Sequence, residues 1–367
     1  MQSFVCAIIT PLTESTHVGR RYQHQLHLKQ WPCRLGRPYM THAPDQPSAA
    51  VQNIIFLLLP EYSMIALMSA IEALRISNRV HGQQLYQWQL ISETNEPVAA
   101  SNGMPLVPDS SIHEIKAEQV DRFFVCASYH PDSTCSPAVI NWLKTVSRKA
   151  GIIGAMCTGS YLLARAGLLN GHRATIHWEA IPAFIEEFPQ VQITEEIFEV
   201  DGRLCTCAGG TSSLDLFLYL IQQDYGKELA LGVCDQFINH RIREPSDRQR
   251  LQLSQRLSLY NPKLIKVITL MEQSLDDPLT PTELADRCYI SVRQMERLFK
   301  AHLHQSPNAY YLQLRLDRAR QLLQQSDMAL ISVATACGFN SLAHFSRSYK
   351  NHFLCSPSQD RLIQSGK

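Results

Sequence analysis

The sequence predicts an α/β doubly wound domain followed by an all-α domain built from two helix-turn-helix units. Three observations predict it. A continuous apolar run at residues 53–59, closed by Pro60, reads as a strand buried on both faces. Strand-like runs recur at 86–91, 122–126, 151–155 and 197–200 with helical stretches between most of them, the alternation that builds a doubly wound sheet. Farther on, two stretches fifty residues apart carry one pattern: Arg297, Lys300, His302, Ser306, Pro307, then Arg347, Lys350, His352, Ser356, Pro357. A unit seen twice is too short for a solenoid and reads as one small helical module built twice.

Taken in order, residues 1–50 mix His, Gln, Arg and Pro without periodicity and read as a disordered extension, with Met40 an alternative start. The α/β domain is assigned to 51–240. Its first strand is followed by a helix over 63–79, where Ile65, Met68, Ile71 or Ala73, Leu74 and Ile76 keep near-helical spacing. A basic, polar linker spans 241–260, and the helical domain 261–363. In that domain Thr280-Pro281-Thr282-Glu283 is a capping box with Pro at the first helical position, opening a helix to about Cys288. Ser291 caps the next, to about His302. Ser306-Pro307 opens a long helix whose apolar stripe is expected to be Ala309, Leu312, Leu316, Ala319 and Leu323. A short helix over 331–337 ends at Gly338, and Ser341 caps one more, to about Phe353.

Bulk numbers narrow the class. The chain has 367 residues, 45% hydrophobic and 18% charged, an ordinary globular balance with room for two or three domains. The net charge of +1 hides an asymmetry: from Tyr260 onward 13 cations face 9 anions, with four histidines besides, which leaves the remainder at −3. Eleven cysteines without framework spacing fit reduced thiols in a cytoplasmic protein. No apolar run reaches the roughly 18 residues that cross a bilayer. The apolar patch at 4–9 has no cation before it and no small-residue cleavage site after it, unlike a secretory signal.

In a helix-turn-helix the N-terminal half of the second helix enters the major groove, so polar side chains must come early in it. In the first unit these are Arg293, Gln294, Glu296 and Arg297; in the second, His344, Ser346 and Arg347. Arg suits guanine bidentately and Gln suits adenine. Lys300 and Lys350 fall later, where phosphate contact is expected. The connecting helix, about 20 residues, spans roughly 30 Å, close to the ~34 Å between successive turns of DNA. One chain would then mimic a dimer on double-stranded DNA.

Gly154-Ala155-Met156-Cys157-Thr158-Gly159-Ser160 follows a strand and opens a helix, the setting of a nucleophile elbow. A helix N-terminus there would lower the thiol pKa. A hydrolase also needs a base, and Thr158 stands next to the cysteine; His177 is the nearest candidate in sequence. Cys205 and Cys207, alternate residues on a strand, supply two metal ligands at most, so no metal is expected. The elbow amides of Cys157, Thr158 and Gly159 suit a carboxylate, and Tyr62, Tyr161 or Trp178 suit a cationic head group.

The stretch from Pro262 to Ile363 resembles the AraC/XylS family of transcription regulators. The resemblance rests on Arg293-Gln294-Met295-Glu296-Arg297-Leu298-Phe299-Lys300, on Leu314-Arg315-Leu316 with Ala319-Arg320-Gln321-Leu322-Leu323, and on Ala336-Cys337-Gly338-Phe339 with Ser341 and His344-Phe345. Four positions depart from that pattern. Tyr289, His304 and Leu354 stand where the family has glycine, and Asp360 replaces an aromatic. The α/β domain resembles the PfpI-like branch of the class I glutamine-amidotransferase-like superfamily, which implies a flavodoxin-like fold. Its matching residues include Ser69 to Arg75, Ala100-Ser101-Asn102-Gly103, Cys157-Thr158-Gly159, His177-Trp178-Glu179 and Cys207-Ala208-Gly209-Gly210-Thr211. The fusion of the two resembles the GlxA group of regulators. Active PfpI-like enzymes carry His after the cysteine and an acid early in the first helix; here those places hold Thr158 and Ala66. The resemblance therefore implies a retired active site kept as an effector pocket formed by Cys157, Thr158, Gly159, Trp178 and Tyr62, with no catalytic residue and no cofactor. It implies an activator responding to a quaternary amine or arginine, with promoter DNA, RNA polymerase and a second copy of the chain as partners. A thiol hydrolase or amidase with a DNA-binding appendage is the alternative, and a ligand-independent architectural protein a third.

Overall fold

The computed structural model describes residues 51–128, 136–239, 241–250, 257 and 261–364. The expected extension at 1–50, with its start at Met40, lies outside the described residues, as do 251–256 and 258–260 of the linker.

In chain order the strands are β1 (Gln52–Leu58), β2 (Tyr86–Ser92), β3 (Val98–Ala99), β4 (Pro105–Leu106), β5 (Ser110–Ser111), β6 (Arg122–Ala127), β7 (Ile152–Cys157), β8 (Arg173–Thr175), β9 (Gln192–Thr194), β10 (Phe198–Asp201) and β11 (Leu204–Cys207). The helices among them are α1 (Met64–His81), α2 (Pro137–Val146), α3 (Gly159–Arg165), α4 (Ile181–Glu187), α5 (Ser212–Tyr225) and α6 (Lys227–Gln236). The main sheet runs β10-β11-β7-β6-β1-β2-β5. Its neighbours are parallel except at the β10 edge, where Phe198 lies antiparallel to Cys207. The small ladders β3–β4 and β8–β9 were not foreseen from the sequence.

The apolar run behaves as its period of two demands. Ile54, Phe56 and Leu58 join one core with α1, α5 and α6, while Ile55, Leu57 and Leu59 join the other with α2, α3 and α4. Each such side chain contributes about 1.5–3 kcal/mol on burial. From β1 the chain winds through α1 to β2 on one side; from β6 it winds through α2 to β7 on the other. The topological switch point of the sheet lies between β1 and β6, and doubly wound sheets bind ligands outside the carboxyl ends of the strands at that point.

The helical half comprises α7 (Pro262–Gln273), α8 (Pro281–Arg287), α9 (Val292–Leu303), α10 (Pro307–Gln325), α11 (Leu330–Ala336), α12 (Leu342–Phe353) and α13 (Pro357–Gln364). Caps set their starts. Asn261 accepts from the amides of Lys263 and Leu264, and Thr280 and Glu283 form the capping box in both directions. Ser291, Ser306 and Ser341 accept from the amides of Gln294, Ala309 and His344. Ser356 and Gln359 repeat the box at α13. Two cores result, and α10 serves both: Tyr310 and Tyr311 enter the first, Leu316, Ala319, Leu322 and Leu323 the second. The expected stripe needs correction at its start. Ala309 is exposed and Leu312 half-buried, because the larger tyrosine rings take the inward positions of that turn. Ala183 of α4 also enters the second core, so the α/β half docks directly on α10.

The three residues standing in for glycine all adopt the left-handed backbone: Tyr289 at φ 57°, His304 at 57° and Leu354 at 62°. Gly338, in the second turn, keeps φ at +71°, and a Cβ there would sit 2.5 Å from the Pro278 ring. A non-glycine residue in this region costs about 1–2 kcal/mol. His304→Gly and Leu354→Gly are therefore expected to raise stability by about 1 kcal/mol each, read as a higher urea midpoint with an unchanged slope. A lower midpoint would show that the side chains more than offset the strain.

Candidate functional site

On α9, Met295 and Phe299 point into the first core; on α12, Phe345 and Tyr349 point into the second. These are the same two positions, fifty residues apart, so each helix turns its other face outward. Arg293, Glu296, Arg297 and Lys300 are exposed and Gln294 is half-buried; His344, Arg347 and Lys350 are exposed and Ser346 is half-buried. Among the described residues, none of the five Arg and Lys side chains makes a hydrogen bond or ion pair within the chain. Such cations are available to phosphates and base edges.

What holds the two faces is a set of polar braces on α10. Arg315 donates from Nε to the Cys337 carbonyl at 2.7 Å and from Nη2 to the Gly338 carbonyl at 2.7 Å, with its guanidinium 4.2 Å from the Phe339 ring centre. It thereby satisfies carbonyls at the end of α11, just before the reading helix α12. Arg320 pairs with Asp360 at 2.9 Å, and Tyr349 donates its hydroxyl to the same carboxylate at 2.6 Å. Neither brace was visible in the sequence, since nothing in local spacing links residue 315 to 337 or 349 to 360. In the first unit Tyr311 donates to the Ser274 carbonyl at 2.5 Å.

At the elbow the expected geometry is present. Cys157 ends β7 at φ 58°, and α3 begins at Gly159. A Cβ on Gly159 would stand 2.3 Å from the Val125 carbonyl oxygen, so β6 and α3 can approach only through glycine. Gly209, at φ +84°, presses on Cys157 in the same way, with a Cβ position 3.1 Å from Sγ. Thr158 donates its hydroxyl to the Ser128 carbonyl, and the Ser128 hydroxyl lies 3.9 Å from the Cys157 sulfur.

The expected lowering of the thiol pKa is overturned. Burial pushes Cys157 up to about 12, and hydrogen bonds from Ser128 and the Thr158 amide offset only part of this. At neutral pH the group is a thiol, not a nucleophilic thiolate. Burial also lowers the His177 pKa; its Nδ1 is 3.7 Å from Glu179. Ala66, in the place of an acid, is buried among apolar neighbours.

The aromatic residues separate. Tyr62 is wholly buried, bridges Ala100 and Ser128 through its backbone, and has its hydroxyl pushed up to about 12 by burial. It thus lies beside the elbow through Ser128. Trp178 is half-buried, with the Arg250 guanidinium 4.3 Å from its ring centre, and it faces a cleft of about 650 Å³ against α10. Among the described residues no cluster of three or more His, Cys, Asp or Glu is placed to hold a metal ion. Sequence reasoning missed Ser128 and the cleft residues other than Trp178, because they meet only in three dimensions.

Residues 52–223 match the DJ-1/PfpI family, and residues 284–362 match a helix-turn-helix domain family. The chain is 48% identical over 312 residues to the HTH-type transcriptional regulator CdhR of Pseudomonas aeruginosa, covering 85% of this chain and 92% of that protein. It is 41% identical over 323 residues to the HTH-type transcriptional regulator GbdR of the same species, covering 88% of each. To the HTH-type transcriptional regulator GlxA of Rhizobium meliloti it is 34% identical over 320 residues, covering 87% of this chain and 98% of that one. These matches cover 85–88% of the chain, which carries two outward cationic faces on one rod behind an α/β half, and the chain belongs to their family of transcriptional regulators, in which a DJ-1/PfpI domain precedes an AraC-type helix-turn-helix domain.

Proposed function

We propose that this regulator is an activator whose α/β half senses a small metabolite, such as a quaternary amine or arginine, and that ligand shifts a population between DNA-competent and incompetent arrangements. The observation that carries the reading is the pair of outward cation sets on α9 and α12, free of internal partners among the described residues and repeated at one register. Promoter DNA is the target of those faces, RNA polymerase the second partner, a homodimer the working form and the cytoplasm the site of action. In this reading the effector pocket lies at the elbow beyond the carboxyl ends of β1, β6 and β7, with Tyr62, Cys157, Thr158 and Gly159 as its residues and Trp178, which faces the cleft against α10, outside it. Its place at the switch point of the sheet supports it.

An amidase or hydrolase reading is disfavoured by the buried thiol and by the threonine in the base's position. Cys157→Ser is expected to leave operator binding unchanged and to alter the effector response. Turnover of an ester or amide by the parent chain that vanishes in this variant would reverse the assignment. A footprint with and without metabolite tests the main reading: for each bound chain it should protect two half-sites about one helical turn apart. Protection without sequence preference would contradict it.

A further inference from the structure

The cleft between α4 and α10 is the place where the sensor half and the DNA-reading half share a lining. Trp178, Ile181 and Pro182 form one wall, and Asp317 and Arg318 belong to the other. Two features of that second wall have no account within the chain. Arg318 carries its Nε buried without an acceptor, and among the described residues its guanidinium makes no hydrogen bond or ion pair. Glu186 on α4 and Asp276 are the acids that act on it electrostatically, neither as a bonded partner. Asp317, next to it, is half-buried and likewise has no hydrogen bond or ion pair among the described residues, with His352 and Arg320 near it. Adjacent charges of opposite sign, each partly withdrawn from water and left unpaired among the described residues, are costly to keep in a structural interface. They are what a binding wall for a doubly charged guest looks like.

We propose that this cleft binds a small zwitterion, its anionic group paired with Arg318 and its cationic group with Asp317, while Trp178 supplies an apolar wall. A volume of about 650 Å³ is in the range of small-molecule sites. The face of Trp178 already holds a guanidinium, that of Arg250, which shows the ring accepting a cation at 4.3 Å. The position gives the site a direct mechanical consequence. Its guest touches α10, the rod that carries both reading helices, and the α4 end of the sensor half at once. Occupancy would therefore favour one docking of the two halves over others. The inference rests on the reading of the chain as a metabolite-responsive regulator.

Calorimetric titration of the full chain tests it, with L-arginine and glycine betaine as zwitterionic probes and agmatine and choline as carboxylate-free counterparts. At least one zwitterion should bind, and its carboxylate-free counterpart should not. Arg318→Gln and Asp317→Asn should each weaken the zwitterion by roughly 10- to 100-fold, the loss of one charge-assisted pair. Lys144→Ala, on the exposed face of α2 and outside both sites, should leave affinity unchanged. Melting should also stay level or rise in Arg318→Gln, because an unpaired buried charge is removed; a marked fall would give the arginine a structural role and overturn the assignment. Affinity lost in Thr158→Val but kept in Arg318→Gln overturns the cleft while leaving the regulator's ligand class intact. No binding of either zwitterion at millimolar concentration overturns both.

Discussion

Arg297→Ala is expected to weaken binding to the specific operator by about 1–3 kcal/mol, and Arg347→Ala by a similar amount at the other half-site. The two side chains lie on separate helices packed into separate cores, so their losses should add to roughly 2–6 kcal/mol in the double variant. Each loss should relax sequence preference only at the base pairs that the missing guanidinium read. Lys300→Ala and Lys350→Ala should behave differently. They should weaken all sequences alike and lower the salt slope by about one each, the mark of a phosphate contact. Binding isotherms on operator and scrambled duplex at several salt concentrations separate these outcomes. If Arg297→Ala lowers affinity for scrambled DNA as much as for operator, direct base reading by α9 is wrong.

Much of this face was legible in the sequence because local chemistry determines it. Ser291, Ser306 and Ser341 cap their helices through bonds three residues long, so the starts of α9, α10 and α12 follow from spacing alone. Tyr289, His304 and Leu354, which stand where the family has glycine, all take the left-handed backbone that glycine favours. What stayed hidden is what long-range packing decides. Ala309 fits helical spacing with Leu316, yet the adjacent tyrosines fill the first core and turn it outward. The elbow at Cys157 is a local shape and was foreseen, whereas its thiol pKa depends on how completely distant segments enclose it. The helix N-terminus loses that contest to desolvation. Arg318 and Trp178 are 140 positions apart in the sequence, and no periodicity could bring them to one cleft.

The departure at Asp360 has the opposite sense from the strained corners, because a carboxylate in an aromatic's place has acquired partners. Its side chain is only 3% exposed, whereas that of Arg320 is 42% exposed. The ion pair is therefore largely screened on the arginine side and contributes at most about 1 kcal/mol. The hydrogen bond from Tyr349 is the larger part, since the Tyr349 ring is fully buried and its hydroxyl would otherwise have no acceptor, at a cost of about 1–3 kcal/mol. Asp360→Ala is thus expected to lose about 2–4 kcal/mol. Tyr349→Phe should cost less, because it removes the donor together with its need. In the double variant the losses should fall short of their sum, since one interaction is being removed twice. The consequence reaches function through α12: Tyr349 anchors the helix that carries Arg347, while α9 stands on a different core. Footprints of Asp360→Ala should therefore fade over the second half-site as temperature rises, before the first. Urea unfolding of the three variants reads the energies. Equal fading at both half-sites would mean that the two units unfold as one and that Asp360 holds no separate unit together.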